Sequence, residues 1–410
     1  MLEKTDAIHP PMPLGTSFRW LVATRAAEGF ADALARTLLP IVAVTVLGLG
    51  TAYVGVLNSL SLASFLLLGV PIGIMIDRRS SRTRAMAFSS LARVFILILL
   101  AALYLTQALN GPVLLAAALI LGIADVVFTT AESTVIPAIV PEGRLKEAYS
   151  RLAVTGQSTS TAASLIGSIA LGLVGVIGMI GTAICSYTAS LFCQLRVKTE
   201  PASPSPAVRG GATAEGMRIL FSSSPLRALT YSAALTNAGV MLGNTVLPVL
   251  VLSDLGISPA VFAAMGIVSA AGSILGSAAA PSLHRRFGLR RLRVTAALLA
   301  GPAVLLAVFC RDLPGHEIIW LMLQAILWNL LVSISSVAGS DVLPRIVPRE
   351  RLATVGAAQR TITLGVMPIS AIVGGAVGAH AGTAVMMWAW AGLALLSAIP
   401  LVKAIELDRF

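Results

Sequence analysis

The chain has 410 residues, 57% hydrophobic and only 11% charged, with a mean hydropathy of +0.90. That composition excludes a soluble protein of this length. The formal net charge of +11 would suit nucleic acid, but the basic residues sit in short segments between apolar runs, so they read as topogenic charge in a membrane protein. Cys185, Cys193 and Cys310 lie in or at the edge of apolar runs and suggest neither a disulfide framework nor a metal site. No paired His/Cys set or zinc-protease motif is present, so neither an enzyme nor a cofactor is expected.

Residues 1–17 are polar and proline-rich and are expected to form a tail. The apolar run that follows is too long for a signal-peptide core, so no cleavable signal is expected. Twelve membrane spans are predicted, at 18–47, 52–76, 85–106, 112–139, 148–174, 176–195, 226–252, 258–281, 294–310, 317–343, 353–379 and 383–403. The predicted fold is an all-α membrane protein with two six-helix bundles, 18–195 and 226–403, and a short tail at 404–410. The stretch 196–225 holds Pro201, Pro204, Pro206, Gly210 and Gly211 and reads as a linker. Its end, 214–221, can form a short helix at the membrane surface. Nearly all loop arginine and lysine lies on one side of the spans; the opposite loops carry Arg311 alone. That asymmetry orients both termini and the linker toward the cytoplasm.

The two halves repeat. Thr37-Leu38-Leu39-Pro40 matches Thr245-Val246-Leu247-Pro248, and Leu47-Gly48 matches Leu255-Gly256, at an offset of 208. Pro137-Ala138-Ile139-Val140-Pro141 with Arg144-Leu145 matches Pro344-Arg345-Ile346-Val347-Pro348 with Arg351-Leu352, at an offset of 207, and Gly167 then falls on Gly374. A parallel repeat of this kind relates two six-span halves by an axis along the membrane normal.

Between the second and third spans lies GIMIDRRSSRTR, residues 73–84, a tight basic hairpin. Its glycine, Asp-Arg pair and further arginine resemble the signature between helices 2 and 3 of the major facilitator superfamily, with Ser80 in place of the second glycine. The resemblance implies a cytoplasmic gate built from Gly73, Asp77, Arg78 and Arg82. Asp77 would pair near the start of the eleventh span, around 349–352, and Arg78 or Arg82 with Glu142 or Glu147. In the repeat Asp77 maps onto Arg285, so the gate is one-sided. The stretch IPAIVPEGRLKEAYS and its echo LPRIVPRERLATVGAAQ resemble loops of the exporter branch that includes the enterobactin exporter and macrolide efflux proteins. Two further superfamily signatures are altered: Ala118 stands where helix 4 usually carries arginine, and Ser168 follows Gly167 where antiporters carry proline.

The chemistry lies in charges inside the spans. In the first, Arg25, Glu28, Asp32 and Arg36 fall within a stripe of about 80° at 100° per residue. A charge at the bilayer centre costs about 3 kcal/mol, so the stripe must face protein or a water-filled cavity. Arg25 with Glu28, and Asp32 with Arg36, have the spacing to pair along the helix. Asp125 and Glu132 share a face of the fourth span. The resemblance sets the first, fourth, seventh and tenth spans around a central cavity. There Glu28, Asp32, Asp125 and Glu132 are candidates for taking up a proton on one side and releasing it on the other, with Asp32 placed first. Arg93, in the third span, reads as a carboxylate partner. In the second half, Asn237, Asn244, Asn329 and Arg360 are candidates for the substrate cavity, and Gln359 and Ser333 add polar groups. Gly167, Gly172, Gly272, Gly276, Gly374, Gly375 and Gly378 permit close helix approach. His284, His316 and His380 fall at span ends.

Together these readings predict a monomeric secondary transporter of the inner membrane. Its partners would be a small organic molecule and protons, with the lipid bilayer around it and no nucleic acid. Proton-coupled efflux of a drug, siderophore or secondary metabolite is the expected activity, and proton-coupled uptake of a nutrient is the alternative. A cavity with several acids and few aromatics suits cationic or amphipathic molecules.

Overall fold

The computed structural model describes residues 15–77, 82–141, 144–198, 212–348 and 351–409. Those residues are almost entirely helical, with no strand among them. The first half is α1 (Thr16–Ile41), α2 (Thr51–Asp77), α3 (Arg82–Leu105), α4 (Gly111–Ile139), α5 (Leu145–Val174) and α6 (Val176–Gln194). A short helix, α7 (Ala212–Ser222), leads into the second half: α8 (Ser224–Val249), α9 (Pro259–Phe287), α10 (Leu289–Val308), α11 (Glu317–Ala338), the one-turn α12 (Val342–Ile346), α13 (Leu352–Ala381), α14 (Thr383–Leu396) and α15 (Ala398–Lys403). Among the described residues, 11 helical segments are long and apolar enough to cross a membrane. The predicted fifth span is present as the 30-residue α5 but is not among them. Its polar run Gln157–Thr161, with Ser164 and Ser168, dilutes its hydropathy. α5 packs against α1, α6 and α9, while Ser158 and Ser160 of that run remain exposed.

The sequence repeat is also a repeat of backbone detail. Pro40 and Pro248 each precede a five-residue π-helical turn, Val42–Val46 and Leu250–Asp254. Each turn is followed two residues later by a left-handed glycine, Gly48 (φ 63°) and Gly256 (φ 64°), a conformation glycine adopts without steric cost. Val140 and Val347 both cap in extended conformation, and Arg144 and Arg351 then open the next helix. Gly167 packs on Leu34, as its counterpart Gly374 packs on Leu242. The halves differ in that α4 is continuous whereas its counterpart breaks at 339–341 between α11 and α12.

Two ends of the molecule can be told apart. At the basic end, the Ser17 hydroxyl donates to the Lys198 carbonyl at 3.2 Å, and Arg290 donates to the carbonyl of Val402 at 2.6 Å and to Asp408 at 2.9 Å. There too α7 docks on α13 through an Arg351–Glu215 ion pair and a close approach of Gly216 to the Thr354 carbonyl. At the far end, the Tyr53 hydroxyl donates to the Gly111 carbonyl at 2.6 Å and the Thr383 hydroxyl to Asp254 at 2.7 Å.

The halves meet along α2–α13 and α5–α9. Gly55 lies against Ala371 and Gly375, Gly172 against Ala260, and Gly266 against Ser164, while the Asn58 amide donates to the Asn244 carbonyl at 3.2 Å. Toward the far end one apolar core runs across both halves, joining Leu34, Leu38 and Leu171 to Val249 and Ala263. Toward the basic end the core splits into separate clusters, around Phe18, Phe128 and Val135 in the first half and Leu226, Leu229 and Val342 in the second. Among the described residues, a buried apolar cluster therefore joins the halves at the far end and none does at the basic end.

Candidate functional site

Arg93 is the centre of the first half. α3 buries its side chain completely, and the guanidinium reaches three acids from two helices. Nη1 pairs with Glu28 and lies 3.2 Å from Asp32 Oδ1; Nη2 lies 3.3 Å from Asp125 Oδ1. Its Cζ also sits 5.3 Å from the Tyr187 ring centre and 5.7 Å from that of Phe128. The acids have further donors. The Tyr187 hydroxyl donates to Asp32 Oδ1 at 2.6 Å, and the Ser90 hydroxyl lies 3.1 and 3.2 Å from the two Glu28 oxygens. Gln194 Nε2 in turn donates to the Ser90 and Ser190 hydroxyls at 2.8 and 2.9 Å. Such a network is what a buried set of charges requires to be tolerated.

The pairing differs from the one expected along α1. Arg25 Nη1 pairs with Glu132 Oε2 on α4 at 3.2 Å, and Arg36 Nη2 lies 4.0 Å from Asp125 Oδ2, also on α4. Neither Arg25–Glu28 nor Asp32–Arg36 forms. Because the stripe faces α3 and α4, partners on those helices compete with the next turn of α1. Burial of Glu28 and Arg93 also removes the water that would screen them, whereas the Arg36 side chain stays exposed. The site therefore gathers Glu28, Asp32, Asp125 and Glu132 around Arg25, Arg36 and Arg93. One oxygen of Glu132, Oε1, is buried without a hydrogen-bond partner among the described residues.

The second half holds a cavity of about 550 Å³ between α8, α10, α11, α13 and α14. Asn237 and Arg360 line it, as predicted for a substrate cavity, though Asn237 also ties α8 to α13 by donating to the Thr363 carbonyl at 2.9 Å. Asn244 and Asn329 do not line it: Asn329 turns back to the Ala325 carbonyl of its own helix at 2.9 Å, and the Asn244 carbonyl receives Asn58. Gln359 lines the cavity and donates to the Thr230 hydroxyl at 3.3 Å.

A comparison with protein families matches the Major Facilitator Superfamily over residues 21–362. The chain belongs to the Major Facilitator Superfamily. No curated protein matches it. Among solved structures, it is similar to a bacterial homologue of the iron transporter ferroportin in an inward-facing state (TM-score 0.75, 15% identity, covering 94% of this chain and 98% of that one). It is also similar to the POT family transporter PepTSo (TM-score 0.75, 14% identity, 96% and 98% covered) and to the nucleoside transporter NupG (TM-score 0.70, 14% identity, 96% and 100% covered). At these identities the likeness shows the shared fold.

Of the superfamily signature, Arg82 is described: its Nη1 donates to the Thr134 carbonyl on α4 at 3.0 Å. Arg78 and Glu142 lie outside the described residues, as do the surroundings of Gly73 and the side chains of Asp77 and Glu147. Sequence reasoning missed Tyr187, Ser90 and Gln194. Their signal was weak, since hydroxyls and amides in spans are common helix-joining groups. It also missed Arg293, read as loop charge but buried in α10 and lining the cavity.

Proposed function

We propose that this protein is a secondary active transporter of the inner membrane that couples efflux of a small organic molecule to protons by alternating access. The observation that carries the coupling is the Arg93 cluster. Four carboxylates face three guanidiniums, so the cluster with every group ionised holds one surplus negative charge. A proton on one carboxylate balances it.

Asp32 is the proposed coupling acid. Its oxygen accepts from Tyr187 and lies beside Arg93, so its charge ties α1 to α3 and α6. Protonation would release Arg93 to Glu28 and Asp125 and loosen that tie. Deprotonation would restore it. The split core at the basic end and the continuous core at the far end support a rocking motion in which the halves close at one end as they open at the other. The loop-charge pattern supports a cytoplasmic basic end, with both termini there. Efflux rests on the resemblance of the loops at 136–150 and 343–359 to exporters.

The test is Asp32→Asn in proteoliposomes with an imposed pH gradient, a panel of small organic anions, cations and neutral metabolites, and a trapped pH dye. The variant should lose uphill movement driven by the gradient and keep downhill exchange. Uphill movement by Asp32→Asn at the wild-type rate refutes coupling through Asp32, and the same test then moves to Asp125.

A further inference from the structure

The two halves treat their buried arginines in opposite ways. Arg93 is surrounded by acids. Arg293, on α10, is only 9% exposed, yet among the described residues it has neither an ion-pair partner nor a hydrogen bond, and its Nε is buried without an acceptor. A buried, unpaired guanidinium is costly to keep in a fold and calls for an anion. The protein makes room for it: a Cβ at Gly339 would collide with Arg293 Nη1 and stand 3.4 Å from its Cζ. The carboxyl end of α11, capped at Gly339, supplies partial negative charge there but no hydrogen bond.

Arg293 lines the 550 Å³ cavity, and so does Arg360 from α13, which also has no ion pair among the described residues. No described aspartate or glutamate lines that cavity. Ser335 and Ser336 offer hydroxyls, and Trp328 forms an apolar wall whose ring stacks edge-on against Trp390 at 4.7 Å. Two free guanidiniums, hydroxyl donors and an aromatic wall form the complement of an anion on an apolar body. The acids that suggested a cationic cargo are all committed to arginines in the other half.

We infer that this cavity is a binding site for an organic anion, a carboxylate or phosphate carried on an apolar body, with Arg293 as its charge partner. Guanidinium geometry suits two-point contact with either oxyanion. As the cargo site, it rests on the transporter reading; as a binding site, it does not. The same chemistry is offered by a soluble organic anion and by the headgroup of an anionic lipid.

The experiment uses the full-length protein in neutral detergent at low salt. Thermal unfolding and tryptophan fluorescence are followed against benzoate, phenyl phosphate, dioctanoyl phosphatidylglycerol and, as a cationic control, benzylamine. Benzoate or phenyl phosphate should raise the unfolding temperature saturably, and benzylamine should not. Arg293→Met should weaken apparent affinity about 10- to 100-fold, the range for a hydrogen bond to a charged group. Arg293→Lys should retain an intermediate affinity. Without ligand, Arg293→Met should be at least as stable as wild type, because it removes an unpaired buried charge. Protection by phosphatidylglycerol alone, lost in Arg293→Met, keeps the anion site but assigns it to lipid and ends its role as cargo site. Equal protection of wild type and Arg293→Met, or an unliganded Arg293→Met that melts lower with no ligand effect in either protein, overturns the site. Neither outcome touches the pH-gradient test of Asp32, so the transporter reading stands or falls separately.

Discussion

Arg93→Met isolates the role of the central guanidinium. Methionine keeps most of the aliphatic stem and removes the charge. Glu28, whose side chain is fully buried, then loses its ion-pair partner, while Asp125 keeps only Arg36 at 4.0 Å. Breaking a buried pair by removing one member costs about 3–5 kcal/mol, because the remaining charge is left without compensation. The deficit should shrink as the pH falls, since protonation removes the charge that Arg93 used to balance. A second substitution, Glu28→Gln, should return much of the loss, and the double-mutant cycle should give a coupling of at least about 1 kcal/mol between residues in direct contact. Thermal unfolding of the purified single and double variants across a pH series measures all of this. An Arg93→Met protein as stable as wild type at neutral pH, or one that Glu28→Gln destabilises further, would refute the claim that the cluster is held by charge pairing.

Gly276 meets the backbone of Leu330 on α11, with the carbonyl carbon 3.0 Å from where a Cβ would stand, so Gly276→Val should force α9 and α11 apart at about 1–3 kcal/mol, read as a lower unfolding temperature. Gly55→Ala places a methyl 2.7 Å from the Gly375 Cα at the α2–α13 contact, and it should slow transport while leaving anion affinity at Arg293 unchanged. In a background lacking Cys185, Cys193 and Cys310, a cysteine replacing Ser203 should react with an impermeant maleimide only from the cytoplasmic side; labelling from outside would invert the topology. Asp77→Asn should cut the transport rate severalfold with normal expression, and a wild-type rate would count against the hairpin gate.

The spans were legible because apolar runs alternate with short basic loops, and the repeat because proline and glycine punctuate the backbone at the same places in each half. Pro40 and Pro248, matched in the repeat, each precede a π-helical turn that the sequence reading did not anticipate. Arg93 was legible as a carboxylate partner, but which acid each arginine of the bundle takes was not. Spacing along α1 proposes pairs one turn apart, but which helix faces the stripe is a tertiary fact, and Glu28 went to Arg93 and Arg25 to Glu132. Arg293 was hidden for a different reason. It follows Arg290 and Arg291, so charge alone marks it as loop. Yet Gly288, at φ 74°, starts α10 at Leu289, which carries Arg293 a full turn inside the helix. The available signal was the helical spacing Leu289, Leu292, Arg293, Ala296, in which the arginine shares a buried face with apolar residues.

The separation of charges has a mechanical consequence. Proton chemistry is proposed on α1, α3 and α4, whereas the anion cavity is walled by α8, α10, α11, α13 and α14, with no described residue of the first half lining it. A bound anion therefore cannot bias the Arg93 cluster by direct contact. Coupling has to pass through an element whose arrangement both sites favour or oppose, and it can be no larger than their differential affinity for the two arrangements. The α2–α13 and α5–α9 seams meet that requirement. They join the halves through glycine-lined contacts near the far end, while at the basic end, where Arg293 lies, no buried apolar cluster of described residues joins them. α13 carries Arg360 into the cavity and Gly375 into the seam, so under the proposed alternating access a ligand that drew Arg360 inward would pull on the helix that packs against α2.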